Sequence, residues 1–288
     1  MSEWTIQKLL NWTTEYLTQK KVDSPRLSAE LLLSSVLGLK RIELYTQYNR
    51  VVEEEHLAKL REMVKRAGRH EPIAYLVGKT EFYSIEFEVT PDCLIPRPET
   101  ELLVQRAIEF LRQRPSPRQV CDLCTGCGTI AVAVAKNTPD AKVIATDISA
   151  PALAVAARNI EKHKLQDRIE LRQGDLFDPL IAQLDQFDLI VCNPPYVSAA
   201  EYEELEKNVK DYEPRIALYA GDQGLDMYRR IAERVTEFLK GDGALLLEIG
   251  YKQGPAVQQL LEQTGQFPCV KIDKDLSGHD RMVIAKIT

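Results

Sequence analysis

Apolar residues recur along this chain with two different periods, and the change from one to the other falls near residue 79. Before it the spacing is helical. Ala29, Leu32, Leu33, Val36 and Leu37 form one stripe that begins after Asp23-Ser24-Pro25, a capping residue followed by Pro at the first helical position, and stops at Gly38. Leu57, Leu60, Val64 and Ala67 mark the apolar face of a further helix, with Lys59, Arg61, Lys65, Arg66 and Arg69 around it as a solvated face. From Lys79 to Val89 the period becomes two, with Ile85, Phe87 and Val89 alternating against Glu86 and Glu88, which predicts a strand or hairpin. Leu94-Ile95-Pro96-Arg97-Pro98-Glu99 is held extended by its prolines ahead of a helix from about Glu99 to Leu111.

From Gln119 onward, strand-length apolar runs alternate with helical patterns. Val120 to Leu123, Val143 to Ala145, Ile169 to Leu171, Phe187 to Cys192 and Ala244 to Ile249 are the predicted strands, with Ala131–Asn137 and Pro151–His163 among the helices between them. A closing pair near Val270 and Met282–Ala285 is joined by the turn-rich Asp275-Leu276-Ser277-Gly278-His279-Asp280. Such alternation specifies an α/β fold, a doubly wound sheet covered by helices on both faces. The expected division is a helical segment 1–78, a β-hairpin linker 79–92 and an α/β domain 93–288.

Composition narrows the field. The 37 Lys and Arg residues against 43 Asp and Glu give a net charge of -6, which opposes binding to a bare phosphate backbone. Residues 1–90 carry 13 basic and 13 acidic residues, leaving 24 and 30 for the rest, so neither part has the positive excess of a nucleic-acid binder. Met1-Ser2-Glu3-Trp4 lacks the basic-then-apolar pattern of a signal peptide, and no apolar run approaches the roughly 18 residues that span a bilayer. A cytoplasmic protein is expected, with its six cysteines as free thiols.

The first strand of the sheet ends in Asp122-Leu123-Cys124-Thr125-Gly126-Cys127-Gly128-Thr129-Ile130-Ala131. Gly126 and Gly128 let the backbone turn sharply and approach a ligand at the carboxyl edge of the sheet. Asp147, which ends the second strand, is placed to accept from both hydroxyls of a ribose. The glycines also fit the G-x-G-x-x-A dinucleotide fingerprint, so a nicotinamide-dependent oxidoreductase is a rival reading. Asp122 argues against it, because a carboxylate at the strand end repels a pyrophosphate but suits the ammonium and sulfonium of S-adenosylmethionine. After the third strand, Asp175 is a candidate acceptor for the adenine amino group, or a turn residue, and Leu176 a candidate to pack on the ring. Cys121, Cys124 and Cys127 have C-x2-C-x2-C spacing, but the C-x3-C-P continuation of an iron–sulfur signature is missing, and the four histidines show no metal-binding spacing. No metal is expected.

The fourth strand delivers Asn193-Pro194-Pro195-Tyr196 to the same edge. A planar amide or exocyclic amino nitrogen is a poor nucleophile, because its lone pair is delocalised; a site for it must hold its plane and engage both N–H bonds. The Asn193 side-chain oxygen and the Pro194 carbonyl are the candidate acceptors, fixed by Pro194 and Pro195, with the Tyr196 ring covering the flat face. This chemistry is open both to a protein amide and to adenine N6 in nucleic acid.

With these motifs the chain resembles the HemK/PrmC family of release factor glutamine N5-methyltransferases. The likeness runs through Ser24-Pro25-Arg26-Leu27, Glu71 to Gly78, Ile95-Pro96-Arg97-Pro98-Glu99-Thr100-Glu101, Asn193 to Tyr196, Glu213-Pro214, Gly221 to Leu225, Glu248-Ile249-Gly250 and Asp280-Arg281. The resemblance implies a Rossmann-like, seven-stranded class I methyltransferase sheet behind a small five-helix bundle that helps recognise the substrate. It implies S-adenosylmethionine as cofactor, contacted by Cys124, Thr125, Gly126, Cys127, Gly128, Asp147, Leu176 and Asn193, and a substrate site at Asn193, Pro194, Pro195 and Tyr196. Class-one peptide chain release factors are the implied partners, with no direct nucleic acid and no membrane, and the chain is expected to act as a monomer. Cys124 stands where the family commonly has Gly, which argues against a left-handed backbone there, and Leu176 where some members carry an aromatic.

Overall fold

The computed structural model describes residues 3–288; Met1 and Ser2, which open both the N-terminal tetrapeptide and the expected helical segment, lie outside the described residues. The chain forms two compact units, one of the residues up to Lys79 together with Glu206–Tyr212, the other of Thr80–Leu205 and Glu213–Thr288. No boundary drawn once along the chain describes the return of Glu206–Tyr212 to the first unit.

The first unit is built from α1 (Ile6–Gln19), α2 (Pro25–Leu37), α3 (Arg41–Thr46), α4 (Glu54–Ala67) and α5 (Ile73–Val77). Leu9, Leu10 and Leu17 of α1, Leu32, Leu33 and Val36 of α2 and Leu57, Leu60 and Val64 of α4 meet in one buried cluster, so the helical stripes read from the sequence are the core. Gly38 ends α2 as expected. The start of α2 differs: Ser24 is itself left-handed (φ 44°) and its side chain makes no capping bond, while the Ser28 hydroxyl turns back to the Asp23 carbonyl at 3.0 Å.

The second unit begins with a hairpin, β1 (Lys79–Phe82) and β2 (Ile85–Glu88), followed by α6 (Thr100–Arg112), β3 (Arg118–Leu123), α7 (Thr129–Asn137), β4 (Ala141–Asp147), α8 (Ala150–Lys162), β5 (Ile169–Gln173) and β6 (Phe187–Cys192). It continues with α9 (Ala199–Glu204), α10 (Lys207–Lys210, in the stretch that joins the first unit), α11 (Asp226–Arg234), β7 (Leu239–Glu248), α12 (Gly254–Gln263), β8 (Cys269–Lys274) and β9 (Asp280–Lys286). Seven strands pair in the order β5-β4-β3-β6-β7-β9-β8, parallel from β5 to β7 and antiparallel at β9 and β8.

Successive residues of the central strands enter different cores, which is why these strands read as apolar runs rather than alternating. Val120, Leu189 and Leu246 face a cluster with Leu103, Val104 and Ala107 of α6 and Val132 of α7, whereas Cys121, Ile190 and Leu247 face one with Tyr228 and Ile231 of α11 and Val257 and Leu261 of α12. The first of these cores also takes Phe82, Ile85 and Phe87 from the hairpin. Strand order reverses direction at β3, with β4 on one side and β6 on the other, and the carboxyl ends at such a switch point open the crevice where this architecture binds ligands.

Candidate active site

A cavity of about 210 Å³ lies at that switch point. The loops after β3, β4, β5 and β6 each contribute to its lining: Cys124 and Gly126, Asp147 and Ile148, Asp175 and Leu176, and Asn193 with Pro195. Of the residues expected at the site, Thr125, Cys127, Gly128, Pro194 and Tyr196 are not part of this lining.

The loop after β3 is tied down by its own strand. Asp122 is 1 % exposed, and its Oδ2 accepts from the Thr125 hydroxyl at 2.5 Å and from the Ala131 amide, at the start of α7, at 3.1 Å. That role is internal: the carboxylate expected to face the cofactor's ammonium instead fixes the turn and the helix, and its other oxygen is buried without a partner among the described residues. Burial pushes the Asp122 carboxyl up to about 7. Gly128 (φ 83°) is the residue ahead of α7, where a Cβ would come within 3.2 Å of the Ala156 Cβ of α8, so it is needed both for its backbone and for close helix packing. Gly126 (φ 57°) has open space around it and presents bare backbone to the cavity.

Cys124 is also left-handed, at φ 56°, which corrects the expectation drawn from its side chain. The loop is pinned on its far side by the Thr125 amide to the Thr146 carbonyl at 3.0 Å and the Gly128 amide to the Thr125 carbonyl at 2.9 Å, and the Cys124 side chain packs on the core cluster that holds Leu176 and Cys192. These contacts outweigh the roughly 1–2 kcal/mol that a Cβ costs in this region. Cys121 and Cys127 are buried, Cys121 among the side chains of the α11–α12 core.

Asp147 ends β4 with Oδ2 accepting from the Gly126 amide at 2.8 Å and Oδ1 from the Ser149 amide at 2.9 Å. Each oxygen keeps a lone pair for a ligand hydroxyl. Burial raises its pKa, and the backbone amides of Ser149, Gly126 and Ile148 oppose that shift. After β5, Leu176 is left-handed (φ 49°), its carbonyl taking the Thr146 hydroxyl at 3.1 Å. Asp175 is engaged by Arg230 of α11 at 2.7 Å, and both line the cavity, so only part of its acceptor capacity is available to an adenine amino group.

At the end of β6, the Asn193 side-chain nitrogen donates to the Thr100 hydroxyl, at the start of α6, at 3.2 Å. Its oxygen is thereby left as the acceptor. The Tyr196 carbonyl is held by Gln253 Nε2 at 2.9 Å, and the same nitrogen reaches the Gly224 carbonyl at 3.1 Å while Gln253 Oε1 accepts from the Gly250 amide at 2.9 Å. One glutamine thus locks together three loop segments around the tetrapeptide. The Glu213 carboxylate, 1 % exposed in its side chain, binds Arg97 at 2.6 Å and the Ile95 amide at 3.1 Å, joining the proline-rich segment to the Pro214 wall of the cavity.

Sequence reasoning missed Thr100, Gln253, Arg230 and Ile148 as parts of this site. Thr100 lies within the Pro98-Glu99-Thr100-Glu101 segment, whose pattern gives it no role; Ile148, directly after Asp147 and 48 % exposed, carried the signal of an apolar residue at a strand end.

Residues 8–78 match the PrmC N-terminal domain family, and residues 99–210 match the methyltransferase small domain family. The release factor glutamine methyltransferase of Rhodopirellula baltica is 45% identical, covering 97% of this chain and 95% of the relative. This chain belongs to the release factor glutamine methyltransferase family. The Geobacter sulfurreducens member is 43% identical, over 99% of this chain and 97% of its own. Among solved structures, a methyltransferase from Pyrococcus furiosus shares the fold, with a TM-score of 0.52 at 16% identity over 82% of this chain and 99% of the other. The seven-stranded sheet and the helical N-terminal unit of this family member are those expected from the resemblance.

Proposed function

We propose that this protein transfers a methyl group from S-adenosylmethionine to the side-chain N5 of the glutamine in the Gly-Gly-Gln loop of class-one peptide chain release factors. The observation that carries the reading is Asn193, at the cavity edge with its amino group bound to Thr100 and its oxygen unspent. The cavity suits the cofactor: bare backbone at Gly126, a carboxylate with spare lone pairs at Asp147, and apolar side chains at Ile148, Leu176 and Met227 for a flat ring.

S-adenosylmethionine supplies an electrophilic methyl group on a sulfonium. Asn193 Oδ1 accepts one N–H of the substrate amide and the Pro194 carbonyl the other, so that the nitrogen is held in plane and aimed. No base is needed before attack, since the amide proton becomes acidic only as the N–C bond forms and the methyl–sulfur bond breaks; the sulfur leaves as the neutral thioether of S-adenosylhomocysteine and the proton passes to water. Pro194 and Pro195 fix the backbone that carries both acceptors, Gln253 holds the Tyr196 carbonyl, and the Tyr196 ring supports the flat face of the amide. Cys124, Thr125, Cys127 and Gly128 shape the turn that lets Gly126 approach the cofactor.

Action as a monomer is part of this reading, to be checked by sedimentation. Among the described residues no helix is long and apolar enough to cross a membrane, and a substrate that works on the ribosome supports a cytoplasmic location. The deciding experiment incubates the enzyme with tritiated S-adenosylmethionine and, separately, a release factor, its Gln-to-Ala loop variant and DNA. Label on the first alone is expected. Label on DNA but not on the release factor would instead indicate an adenine N6-methyltransferase.

A further inference from the structure

Asn159 is fully buried in α8, a helix whose other buried residues are Ala152, Leu153, Val155, Ala156 and Ile160. A polar amide in that setting costs free energy unless its groups are paired. Here both ends are engaged: Oδ1 accepts from the Glu88 amide at 2.7 Å, while Nδ2 donates to the Glu88 carbonyl at 3.0 Å and to the Cys127 carbonyl at 2.9 Å. Cys127 stands between Gly126 and Gly128 in the loop after β3, and Glu88 ends β2, four residues ahead of Asp92, Cys93 and Leu94 in the cavity lining. Two further contacts join the same parts. Gly128 passes Ala156, three residues before Asn159 on α8, with no room for a Cβ, and Cys127 Sγ lies 4.0 Å from the Leu94 carbonyl. Fastening the hairpin to α8 does not by itself call for the bond to Cys127, because Arg158 pairs with Glu88 at 2.6 Å, Lys162 with Glu86 at 2.7 Å, and Phe87 enters the core.

We infer that Asn159 is a positioning residue for the cofactor, which sets the spacing between the glycine loop and the Asp92–Leu94 wall and so makes the β1–β2 hairpin part of the S-adenosylmethionine site. A peptide unit is planar and rigid, so fixing the Cys127 carbonyl fixes the Cys127–Gly128 plane. That plane adjoins Gly126, which shows bare backbone to the cavity and whose amide is held by Asp147 at 2.8 Å. Asn159 itself touches no ligand. Coupling of this kind is reciprocal: if the anchored hairpin favours cofactor binding, bound cofactor must in turn steady the hairpin. The inference rests on the cavity's being the cofactor site, and not on which protein is methylated.

The test compares Asn159→Leu, close in volume to the wild type, with Arg158→Met, which removes a bond from the same helix to the same Glu88 but leaves the loop alone. Titration calorimetry with S-adenosylmethionine is expected to show affinity lowered about 5- to 100-fold in Asn159→Leu, the range for backbone groups left unpaired, and changed less than about 2-fold in Arg158→Met, an exposed pair. Single-turnover methylation at saturating cofactor should stay within about 3-fold of wild type in both, as for an interaction that serves binding alone. The Tm of Asn159→Leu should fall as well, so the split between affinity and rate is the readout; a merely structural role lowers Tm and leaves the affinity of the folded enzyme unchanged. A second measurement needs no variant. In the wild type, S-adenosylmethionine should slow amide exchange over Ile85–Glu88 more than over β8, at the edge of the sheet. Unchanged affinity in folded Asn159→Leu, an equal loss in Arg158→Met, or exchange over β2 slowed no more than over β8 would overturn the inference. A wild type that binds no S-adenosylmethionine would overturn the reading of the cavity instead, which keeps the two failures apart.

Discussion

The Asp147 carboxylate accepts from the Gly126 amide at 2.8 Å, a bond that ties the end of β4 to the glycine loop after β3 across the switch point of the sheet. One side chain therefore shapes the loop and faces the cavity. Asp147→Ala removes both a ligand acceptor and the loop tether, and it is expected to weaken S-adenosylmethionine binding by about 1–3 kcal/mol, the range for a charged hydrogen-bond partner. Asp147→Asn keeps one acceptor oxygen and should lose less. Titration calorimetry separates the two, and an unchanged affinity in Asp147→Ala excludes the ribose-binding role.

Gly224 offers a steric probe of the tetrapeptide that leaves its side chains untouched. A Cβ there would sit 2.3 Å from the Tyr196 carbonyl oxygen and 2.8 Å from Gln253 Nε2, so Gly224→Ala must displace the loop that Gln253 holds. The expected result is a loss of about 100-fold in kcat, as for a misplacement near 1 Å, with cofactor affinity close to wild type. Gly278→Ala is the control, since that residue also has positive φ but nothing within 4 Å, and it should change stability without changing the rate. Equal rates for both variants would show that the close contact does not govern the tetrapeptide.

How far the fold was legible in the sequence follows from where the forces are local. Strands such as Phe187–Cys192 and the helical stripe of α2 announce themselves because burial imposes a period on consecutive residues. The turn chemistry at Gly126 and Gly128 is likewise written in residue type. What escaped depends on partners distant in sequence: Thr100 meets Asn193 ninety-three residues away, Asn159 of α8 bonds the hairpin at Glu88 and the loop at Cys127, and Glu206–Tyr212 clusters with the first unit. The left-handed Cys124 escaped for a different reason, because tertiary packing overrode the local preference that sequence expresses.

The pH dependence of stability has a sign set by two buried carboxyls. Burial pushes Asp122 and Glu248 up to about 7 each, above the 3.8 and 4.5 of the free groups. The native state then binds more protons than the unfolded chain between these limits, so the two groups make stability fall as pH rises from about 4 to about 7 and have no further effect above. At about 1.4 kcal/mol per pH unit, Glu248 contributes at most roughly 3 kcal/mol to this fall. Melts across pH 4 to 8 check it: Glu248→Leu should flatten part of the slope, and a slope identical to wild type would rule out a buried, titrating Glu248.

Asn193 is where the proposed chemistry is most exposed to test. Asn193→Ala removes one of two acceptors that aim the amide nitrogen, and the loss of one preorganised contact of this kind typically lowers kcat about 100- to 1,000-fold. Asn193→Asp keeps an acceptor oxygen but loses the nitrogen that donates to Thr100 at 3.2 Å. The order of rates should therefore be Asn above Asp above Ala. A residue serving only to start a turn predicts near wild-type rates for Asp and a small loss for Ala, because Asp starts turns as well as Asn does. The aromatic neighbour gives a second comparison. Tyr196 packs its ring on the α11–α12 core, and burial raises the pKa of its hydroxyl, so the phenol stays neutral throughout the working range. Tyr196→Phe should accordingly be mild and Tyr196→Ala severe, by about 100-fold or more if the ring supports the amide plane. Single-turnover rates at saturating cofactor and release factor decide both comparisons, and an Asn193→Ala enzyme whose chemical step runs at the wild-type rate would end the acceptor mechanism.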